Sequence, residues 1–272
     1  MDRTIRSIIR ISTFITFSTL FFIIGYILIK GIPSLDLSLF QLEYTTENVS
    51  LFPAMVTTLM LIALTLIIAT PIGIFTAFYL VEYAKKDSKI VEAIRIATET
   101  LSGIPSIVYG LFGMLFFVIR LNFKYSLLAG ALTVGIMVLP LIIRTAEEAL
   151  LSVDNSLREA SFGLGAGKLR TIFRIVLPVA MPGILSGVIL SIGRIVGETA
   201  ALMFTLGTAT KIPEGLFSSG RTLALHMYVL STEGLNVNES YATGVILLLV
   251  VLIVNGLSTL LSNKLAKGNE DE

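Results

Sequence analysis

Two charged side chains, Arg194 and Glu198, interrupt an otherwise apolar stretch between residues 189–193 and 200–206. Four residues apart on a helix, they would share one face, where the guanidinium could bind an anion and the carboxylate could neutralise or release it. A charge at the centre of a bilayer costs about 2.5–3.5 kcal/mol, so both groups would have to face protein or water. The spacing fits an anion pathway, and it equally fits an ion pair that merely joins two helices.

A second group of residues, between Ser156 and Lys168, has the spacing of two short helices joined by a turn. Ser156 and Glu159 are placed as in a capping box, which predicts that a short helix begins there. Three glycines between residues 163 and 167 predict a turn, and apolar residues at helical spacing resume from Lys168. The sequence therefore predicts a helix–turn–helix elbow at the membrane surface, over residues 154–177.

The glycines of this elbow are similar to a phosphate-binding loop but lack its spacing. That motif needs four residues between its glycines and a Ser or Thr after its lysine. Here three residues separate Gly163 from Gly167, and Leu169 follows Lys168. The chain has no visible nucleotide site of its own, so any ATP must be hydrolysed by a partner.

The composition excludes several classes of protein. Of 272 residues, 54% are hydrophobic and 14% are charged, against about 25% charged in soluble domains, which rules out an ordinary soluble enzyme. Twenty Lys and Arg against nineteen Asp and Glu, with no long run of one sign, argue against a nucleic-acid partner. Without cysteine and with one histidine, the chain cannot form a disulfide, a thiolate nucleophile or a Cys/His zinc site.

Long uncharged runs predict the elements that carry these residues. Because a helix needs about 20 apolar residues to cross a bilayer core, the sequence predicts an all-α membrane protein with six transmembrane helices. Residues 1–30 form an N-terminal anchor helix, and residues 31–272 form the core. The core spans are predicted at residues 51–81, 100–119, 125–147, 178–207 and 240–263. The first of these is long enough to need tilting, or a bend at Pro71 and Gly73.

The distribution of lysine and arginine predicts the orientation of the spans. Fourteen lie on the side of the termini, namely Arg3, Arg6, Arg10, Lys85, Lys86, Lys89, Arg95, Arg144, Arg158, Lys168, Arg170, Arg174, Lys264 and Lys267. Five lie on the other side, namely Lys30, Arg120, Lys124, Lys211 and Arg221. Both termini, and the elbow between spans 4 and 5, are therefore predicted to be cytoplasmic.

The elbow carries a family resemblance. Its fixed positions are Glu159, Ala160, Gly165, Leu177 and Pro178. Their spacing resembles the EAA loop of ABC-importer permeases, from which the chain departs at Ser161, where alanine is commonest. In that family the elbow is a coupling helix that docks in a cleft of a separate ATPase subunit, and the resemblance implies this role here. The alternative is an interfacial amphipathic helix without a partner.

A second resemblance extends over residues 92–207. Residues 193–200 read G-R-I-V-G-E-T-A, similar to the G-R-x-x-G-E-T segment of permeases in the phosphate-specific transport system, and residues 99–110 resemble their third span. The chain is more similar to the A-type than to the C-type permease subunit. The resemblance implies that Arg194 and Glu198 help to move phosphate, and it extends to Arg144, for which snorkelling to the interface is the alternative.

The resemblance also implies partners and a location. One chain has one elbow, whereas a dimer of ATPase subunits needs two, so a second permease subunit of the C-type is expected. An extracytoplasmic phosphate-binding protein would deliver the substrate. ATP and magnesium would be bound by the ATPases, with no cofactor or metal on this chain. The chain would lie in the cytoplasmic membrane of a bacterium or archaeon, in contact with lipid.

Two other functional classes are weighed against this interpretation. A channel or a secondary transporter would work without partners. An intramembrane enzyme would need a nucleophile and a base, yet the sequence has no G-x-S-x-G, no H-E-x-x-H and no lysine inside a predicted span. Charge and spacing do not separate phosphate from another oxyanion.

Several features have a simpler interpretation. The external segments 30–48 and 211–240 are expected to be solvated connectors, with docking of a partner as the alternative. His226 is expected to be a packing residue. Close helix packing and local kinks are expected at Gly103, Pro105, Gly110, Gly113, Gly130, Gly135 and Pro140.

Overall fold

The structure is a computed structural model that describes residues 3–85 and 88–267. All regular structure in these two ranges is helical, which confirms the predicted all-α class. In chain order the α-helices are α1 (Arg3–Gly31), α2 (Phe52–Phe78), α3 (Lys89–Ser102), α4 (Ser106–Gly113), α5 (Leu127–Leu151), α6 (Asn155–Gly163), α7 (Lys168–Thr171), α8 (Leu177–Val196), α9 (Ala200–Thr205), α10 (Leu223–Glu233) and α11 (Val237–Lys267). Lys86, one of the cations counted above, lies outside the described residues, and the side chains of Arg3, Lys264 and Lys267 are not described either.

Tighter and looser helical turns adjoin these helices. Turns of 3-10 helix cover Ile32–Ser34 and Leu37–Phe40. Turns of π-helix extend α2 over Tyr79–Tyr83, extend α4 over Met114–Arg120, and join α7 to α8 over Ile172–Val176.

Five continuous helices of the described chain are long and apolar enough to cross a membrane. They are Thr4–Ser34, Phe52–Tyr83, Leu127–Leu151, Lys168–Val196 and Val237–Leu257. A sixth candidate consists of α3 and the extended α4, which meet at an angle of 106°. The prediction of six spans is confirmed when this bent pair counts as one.

The predicted third span, residues 100–119, is not one helix. The chain breaks between α3 and α4, because Pro105 has no backbone N–H and disfavours helical geometry in the residue before it. Tyr109 closes the break from inside, since its hydroxyl donates to the Leu101 carbonyl oxygen at 2.6 Å. The third span is therefore a bent pair, α3 followed by the extended α4, and not one straight helix.

The central helix of the bundle is α5. Its side chains at Ala131, Val134 and Ile142 are buried, with α2 and α8 packed on its sides. The second span is one continuous helix through Pro71, in agreement with the predicted single crossing. Gly73 allows α2 to approach closely, because a Cβ atom there would lie 2.5 Å from the Ile142 Cγ2 atom.

The boundary between the elbow and the fifth span differs from the predicted one at residues 177 and 178. One helix runs from Lys168 to Val196, so the second arm of the elbow and the fifth span are a single rod. The π-helical turn before Pro178 loosens the hydrogen-bond ladder at the point where this proline lacks a donor. After Val196 the chain breaks again, and α9 follows as a separate short helix.

The N-terminal helix α1 lies at the edge of the bundle. Its contact with α11 includes the rings of Tyr26 and Tyr241, whose centroids are 5.8 Å apart. Large apolar side chains along the rest of α1, such as Phe14 and Phe22, are exposed. This exposure suits a helix whose surroundings are lipid.

The segment after α1 is attached to the bundle at several points, so the expectation of a solvated connector over residues 30–48 is wrong at the buried Leu39, whereas most of residues 40–47 are exposed, as expected. Leu39 and Leu51 are buried beside Leu223 of α10. The Asn48 side-chain oxygen accepts from the backbone N–H groups of Thr45 and Ser50, at 2.8 and 3.0 Å. The loop thereby becomes part of the end of the bundle opposite the elbow.

His226 in α10 is only 1% exposed, which confirms the predicted packing role. Its ring meets Tyr44 edge-on, with centroids 6.0 Å apart, and its Nδ1 atom lies 3.4 Å from Nη1 of Arg221. Burial, reinforced by the Arg221 charge, lowers the pKa of His226 from 6.5 to about 4. The imidazole is therefore neutral near pH 7.

The packing of α4 against α5 and α9 generates a prediction. A Cβ atom at Gly113 would lie 2.7 Å from Thr205 Cγ2 and 2.8 Å from Thr133 Cγ2. Gly113→Ala should therefore lower the free energy of unfolding by about 1–3 kcal/mol, as overpacking does. Thermal unfolding of the purified chain in detergent measures this. Gly25→Ala is the matched control, because nothing lies within 4 Å of its Cβ position; equal midpoints for the two variants would contradict the close approach.

Candidate functional site

Arg194 lies at about half the height of the bundle, measured along the helix axes, and its side chain is on the outer surface of the chain. Helices α5 and α8 run antiparallel, since Cβ atoms at Gly187 and Gly183 would touch Thr145 and Ala149 at 2.6 and 2.7 Å. Continued at the same register, this pairing places Arg194 opposite the middle of α5. The neighbouring Ile195 and Val196 are buried, whereas Arg194 is exposed. A cation at this depth requires protein or water over it.

Glu198 does not sit on one helical face with Arg194, so the prediction of a shared face is wrong. The helix ends at Val196, and Glu198 lies in the break before α9, where it is 8% exposed. Its Oε1 atom accepts from the backbone N–H of Ala201 at 2.9 Å. The carboxylate therefore satisfies an open donor at the start of α9, as a capping residue does. Among the described residues no ion pair joins it to Arg194.

The two broken spans meet beside Arg194. Helix α4, which follows the first break, packs against α9, which follows the second. Tyr109 of α4 is buried and lies within electrostatic reach of Arg194. The arrangement brings one cation, one buried carboxylate and the open ends of two helices into the same region of the bundle.

Arg144 lies outside this region. It is exposed on α5, where its Nε atom donates to Glu148 Oε1 at 3.1 Å, one helical turn away. In the α5–α8 register it is offset from Arg194 by about six residues, roughly 9 Å along the axis. The structure thus brings two of the three predicted pathway residues into one region, Arg194 exposed and Glu198 buried, and places Arg144 nearer the elbow.

The elbow exists as predicted, but its first helix begins differently. The side chain of Asp154 caps α6 by accepting from the Ser156 N–H at 2.8 Å. The predicted capping box of Ser156 with Glu159 is therefore wrong, because an aspartate two residues earlier satisfies the same helix end. Glu159 and Ala160 point outward and are exposed.

The turn of the elbow is shaped by Gly165, whose φ of +81° is disfavoured for residues with a side chain. Its N–H donates to the Phe162 carbonyl at 2.9 Å. Across the turn, the hydroxyls of Ser161 and Thr171 are 2.8 Å apart and buried. The serine that departs from the commonest motif residue thus ties the two arms together.

The outer side of the elbow forms a shallow groove of about 360 Å³. Its walls include Leu157, Ala160, Leu164, Gly165, Arg170 and Ile175. Leu164, at the tip of the turn, is 90% exposed. Leu177 and Pro178 lie beyond the groove, half-buried at the start of α8. An apolar tip with charged neighbours is typical of a surface that docks another protein.

Comparison with known protein families identifies the chain. Residues 69–267 match the family model described as binding-protein-dependent transport system inner membrane component. The chain belongs to this family of permeases. The permease is thus a multi-pass membrane protein and a transport component, and the matched region contains both the Arg194 region and the elbow.

Curated relatives agree with this assignment. The permease is 32% identical over 254 residues to the probable ABC transporter permease protein YqgI of Bacillus subtilis, an alignment that covers 85% of this chain and 84% of the relative. It is 42% identical over 179 residues to the phosphate transport system permease protein PstA of Pasteurella multocida, covering 65% and 63%. It is 36% identical over 192 residues to PstA 1 of Mycobacterium tuberculosis, covering 70% and 62%. The alignments thus span somewhat less than two thirds of these two phosphate permeases.

Solved structures confirm the fold. The permease matches a chain of the inward-facing MetNI methionine ABC transporter with a TM-score of 0.64 and 19% identity, over 79% of this chain and 94% of that one. It also matches a chain of a bacterial ABC transporter for alginate with a TM-score of 0.59 and 18% identity, over 97% and 99%.

Sequence reasoning missed the residues that hold the elbow of the permease in place. Arg158 entered only as one of many cations, yet its guanidinium is partly buried and binds Glu82 of the second span, 76 positions earlier in the chain. The residues near Arg158 in the sequence do not predict that Glu82 is its partner. A lone glutamate directly after a long apolar run was the available signal.

The position of Glu198 generates a second prediction. Glu198→Ala removes the acceptor for the Ala201 N–H and should lower the free energy of unfolding by about 0.5–2 kcal/mol. Glu198→Gln keeps an oxygen acceptor without the charge, so it should retain most of that stability. Thermal unfolding of both variants measures the difference. Equal losses in the two variants would show that charge, rather than capping, holds Glu198 in place.

Proposed function

We propose that this permease is the transmembrane subunit of an ATP-driven importer that moves inorganic phosphate into the cytoplasm. It is similar over most of its length to permeases of phosphate transport systems. It would work with a second permease subunit, a dimer of ATPase subunits and an extracytoplasmic phosphate-binding protein. ATP and magnesium would be held by the ATPases. Both termini and the elbow would face the cytoplasm, as the distribution of lysine and arginine predicts.

The observation that carries this proposal is the exposed guanidinium of Arg194 at mid-depth in the bundle. A single chain leaves this charge uncovered, and a charge facing lipid is costly. A second subunit packed on the same surface would enclose it between two chains, in a space that water and an anion can enter. Arginine suits a tetrahedral oxyanion, because its planar fork of donors matches two oxygens at once.

The Glu198 carboxylate affects the charge that an anion would meet at Arg194. In this structure its carboxylate accepts from the N–H of Ala201, and among the residues that the structure describes no carboxylate forms an ion pair with Arg194. An anion entering the pathway would therefore meet a cation rather than a neutralised pair. If the helix continued unbroken past Val196, Glu198 would come one turn after Arg194 and could displace the anion.

The proposal predicts that Arg194 is needed for transport rather than for assembly. Arg194→Ala should reduce uptake of labelled phosphate by at least about tenfold, since hydrogen bonds to charged groups contribute about 1.5–3 kcal/mol. Uptake is measured in cells that depend on this importer, and co-purification with the partner subunits reports assembly. Normal uptake by the variant would reduce Arg194 to a structural residue.

The same assay separates the alternatives. Labelled sulfate tests for another oxyanion, and phosphate uptake in the absence of the ATPase subunit tests for a self-contained channel or secondary transporter.

The elbow predicts a separate loss. Gly165→Pro cannot adopt a φ of +81° and removes the N–H that bonds to Phe162. Combined with Glu159→Lys, it should abolish capture of the ATPase subunit while the permease still accumulates in membranes. Glu92→Lys, which reverses an exposed carboxylate on α3, is the control and should leave capture intact. Undiminished capture by the double variant would refute the coupling role.

A further inference from the structure

The elbow is fastened to the membrane-spanning helices by two cations, one on each arm. On the first arm, Arg158 donates from Nη2 to the Leu150 carbonyl at 2.9 Å and from Nη1 to the Val153 carbonyl at 2.7 Å. Its Nε atom donates to Glu82 Oε1 at 3.1 Å. One guanidinium thus connects α6, the end of α5 and the end of the second span.

On the second arm, Lys168 reaches the same turn of the second span. Its ammonium group donates to the Glu82 carbonyl oxygen and lies 4.5 Å from the centroid of the Tyr83 ring. Both arms therefore converge on the π-helical turn Tyr79–Tyr83. The side chain of Glu82 holds one arm, and its backbone holds the other.

Both cations act on the carbonyl ends of helices. The last carbonyls of a helix lack intrahelical partners and carry partial negative charge. Arg158 satisfies the Leu150 carbonyl at the end of α5, and Lys168 satisfies the Glu82 carbonyl at the end of the second span. The elbow is thus seated on the negative ends of two neighbouring spans.

The ion pair is largely shielded from solvent, which indicates a positioning role. The side chains of Arg158 and Glu82 are 13% and 9% exposed. A buried ion pair often adds little net stability compared with apolar residues of the same size, because desolvation offsets attraction. The pair does fix the orientation of the elbow relative to the spans, because the guanidinium N–H groups of Arg158 must meet three acceptors at the same time.

Apolar packing also joins the second arm to the second span, because Ile172 of the arm is buried in one cluster with Phe78 of the span. Phe78 and Phe173 meet across the joint, with centroids 6.2 Å apart. An open groove of about 270 Å³ lies beside them, lined by exposed residues that include Phe75, Tyr79 and Leu169. The apolar contacts and the polar ties therefore connect the same two elements, the second arm and the second span.

We propose that Glu82, gripped by Arg158 and Lys168, is the joint through which movement of the elbow is transmitted to the second span. Glu82 is a positioning residue that touches neither the transported anion nor nucleotide. This inference rests on the proposed function, because it assumes that an ATPase moves the elbow. A displaced elbow pulls on Glu82 through both arms and tilts the span against α5, to which it is packed over most of its length.

The test uses the complete importer in proteoliposomes, with phosphate transported and ATP hydrolysed measured together. Glu82→Gln removes the charge from the buried pair, and Lys168→Met removes the ammonium group but keeps the apolar stem. The double variant should transport about fivefold less phosphate per ATP hydrolysed, within the range found for coupling residues. Glu147→Gln is the matched control: it removes the charge from the Arg95–Glu147 pair, 2.6 Å long, which does not include the elbow. Its ratio should stay at the wild-type value.

The outcomes are distinguishable. A wild-type ratio in the assembled double variant would overturn the inference, because a merely structural joint does not alter phosphate moved per ATP. If the double variant fails to assemble, Lys168→Met alone can be tested, because it keeps the Arg158–Glu82 pair. This single variant should lower the phosphate transported per ATP by a smaller factor. An unchanged value would also overturn the inference. Absence of ATP-driven phosphate uptake by the wild-type complex would instead refute the proposed function.

Discussion

Helix ends inside an apolar bundle must have their backbone groups satisfied, and much of this permease is organised around that constraint. Lipid offers no hydrogen bonds, so each place where a helix stops needs a local partner. The Tyr109 hydroxyl serves the end of α3, the Glu198 carboxylate serves the start of α9, and Arg158 serves the end of α5. The side chains that stand out chemically are largely those assigned to this task.

The constraint explains why the candidate pathway and the breaks coincide. A continuous helix leaves its backbone groups paired within itself, whereas two breaks in neighbouring spans bring polar side chains, such as Glu198 and Tyr109, into the bundle to satisfy them. Arg194 then stands at the edge of this region with its charge directed out of the chain. In the proposed importer, this region would be half of an enclosure, and a second subunit would supply the other half.

Much of the fold could be predicted from the sequence, because a helix that crosses lipid requires a long uncharged run of neighbouring residues. The fourth and sixth spans and the single long crossing through Pro71 follow from uncharged runs of sufficient length. The third and fifth spans were less predictable at their ends. Pro105 and Pro178 look alike in sequence, yet the first lies in a break and the second lies inside a continuous helix, since only the second follows a π-helical turn.

The sequence by itself determined the class of protein, the number of crossings and the existence of an elbow, because hydropathy, proline and glycine act over a few neighbouring residues. It also singled out Arg194 and Glu198 as charges that require partners. The tertiary structure alone decided which partners they have: Glu198 takes a backbone N–H, Arg194 faces outward, and Arg158 takes Glu82. These choices depend on helices that are distant in the chain and meet only after folding, so no local pattern encodes them.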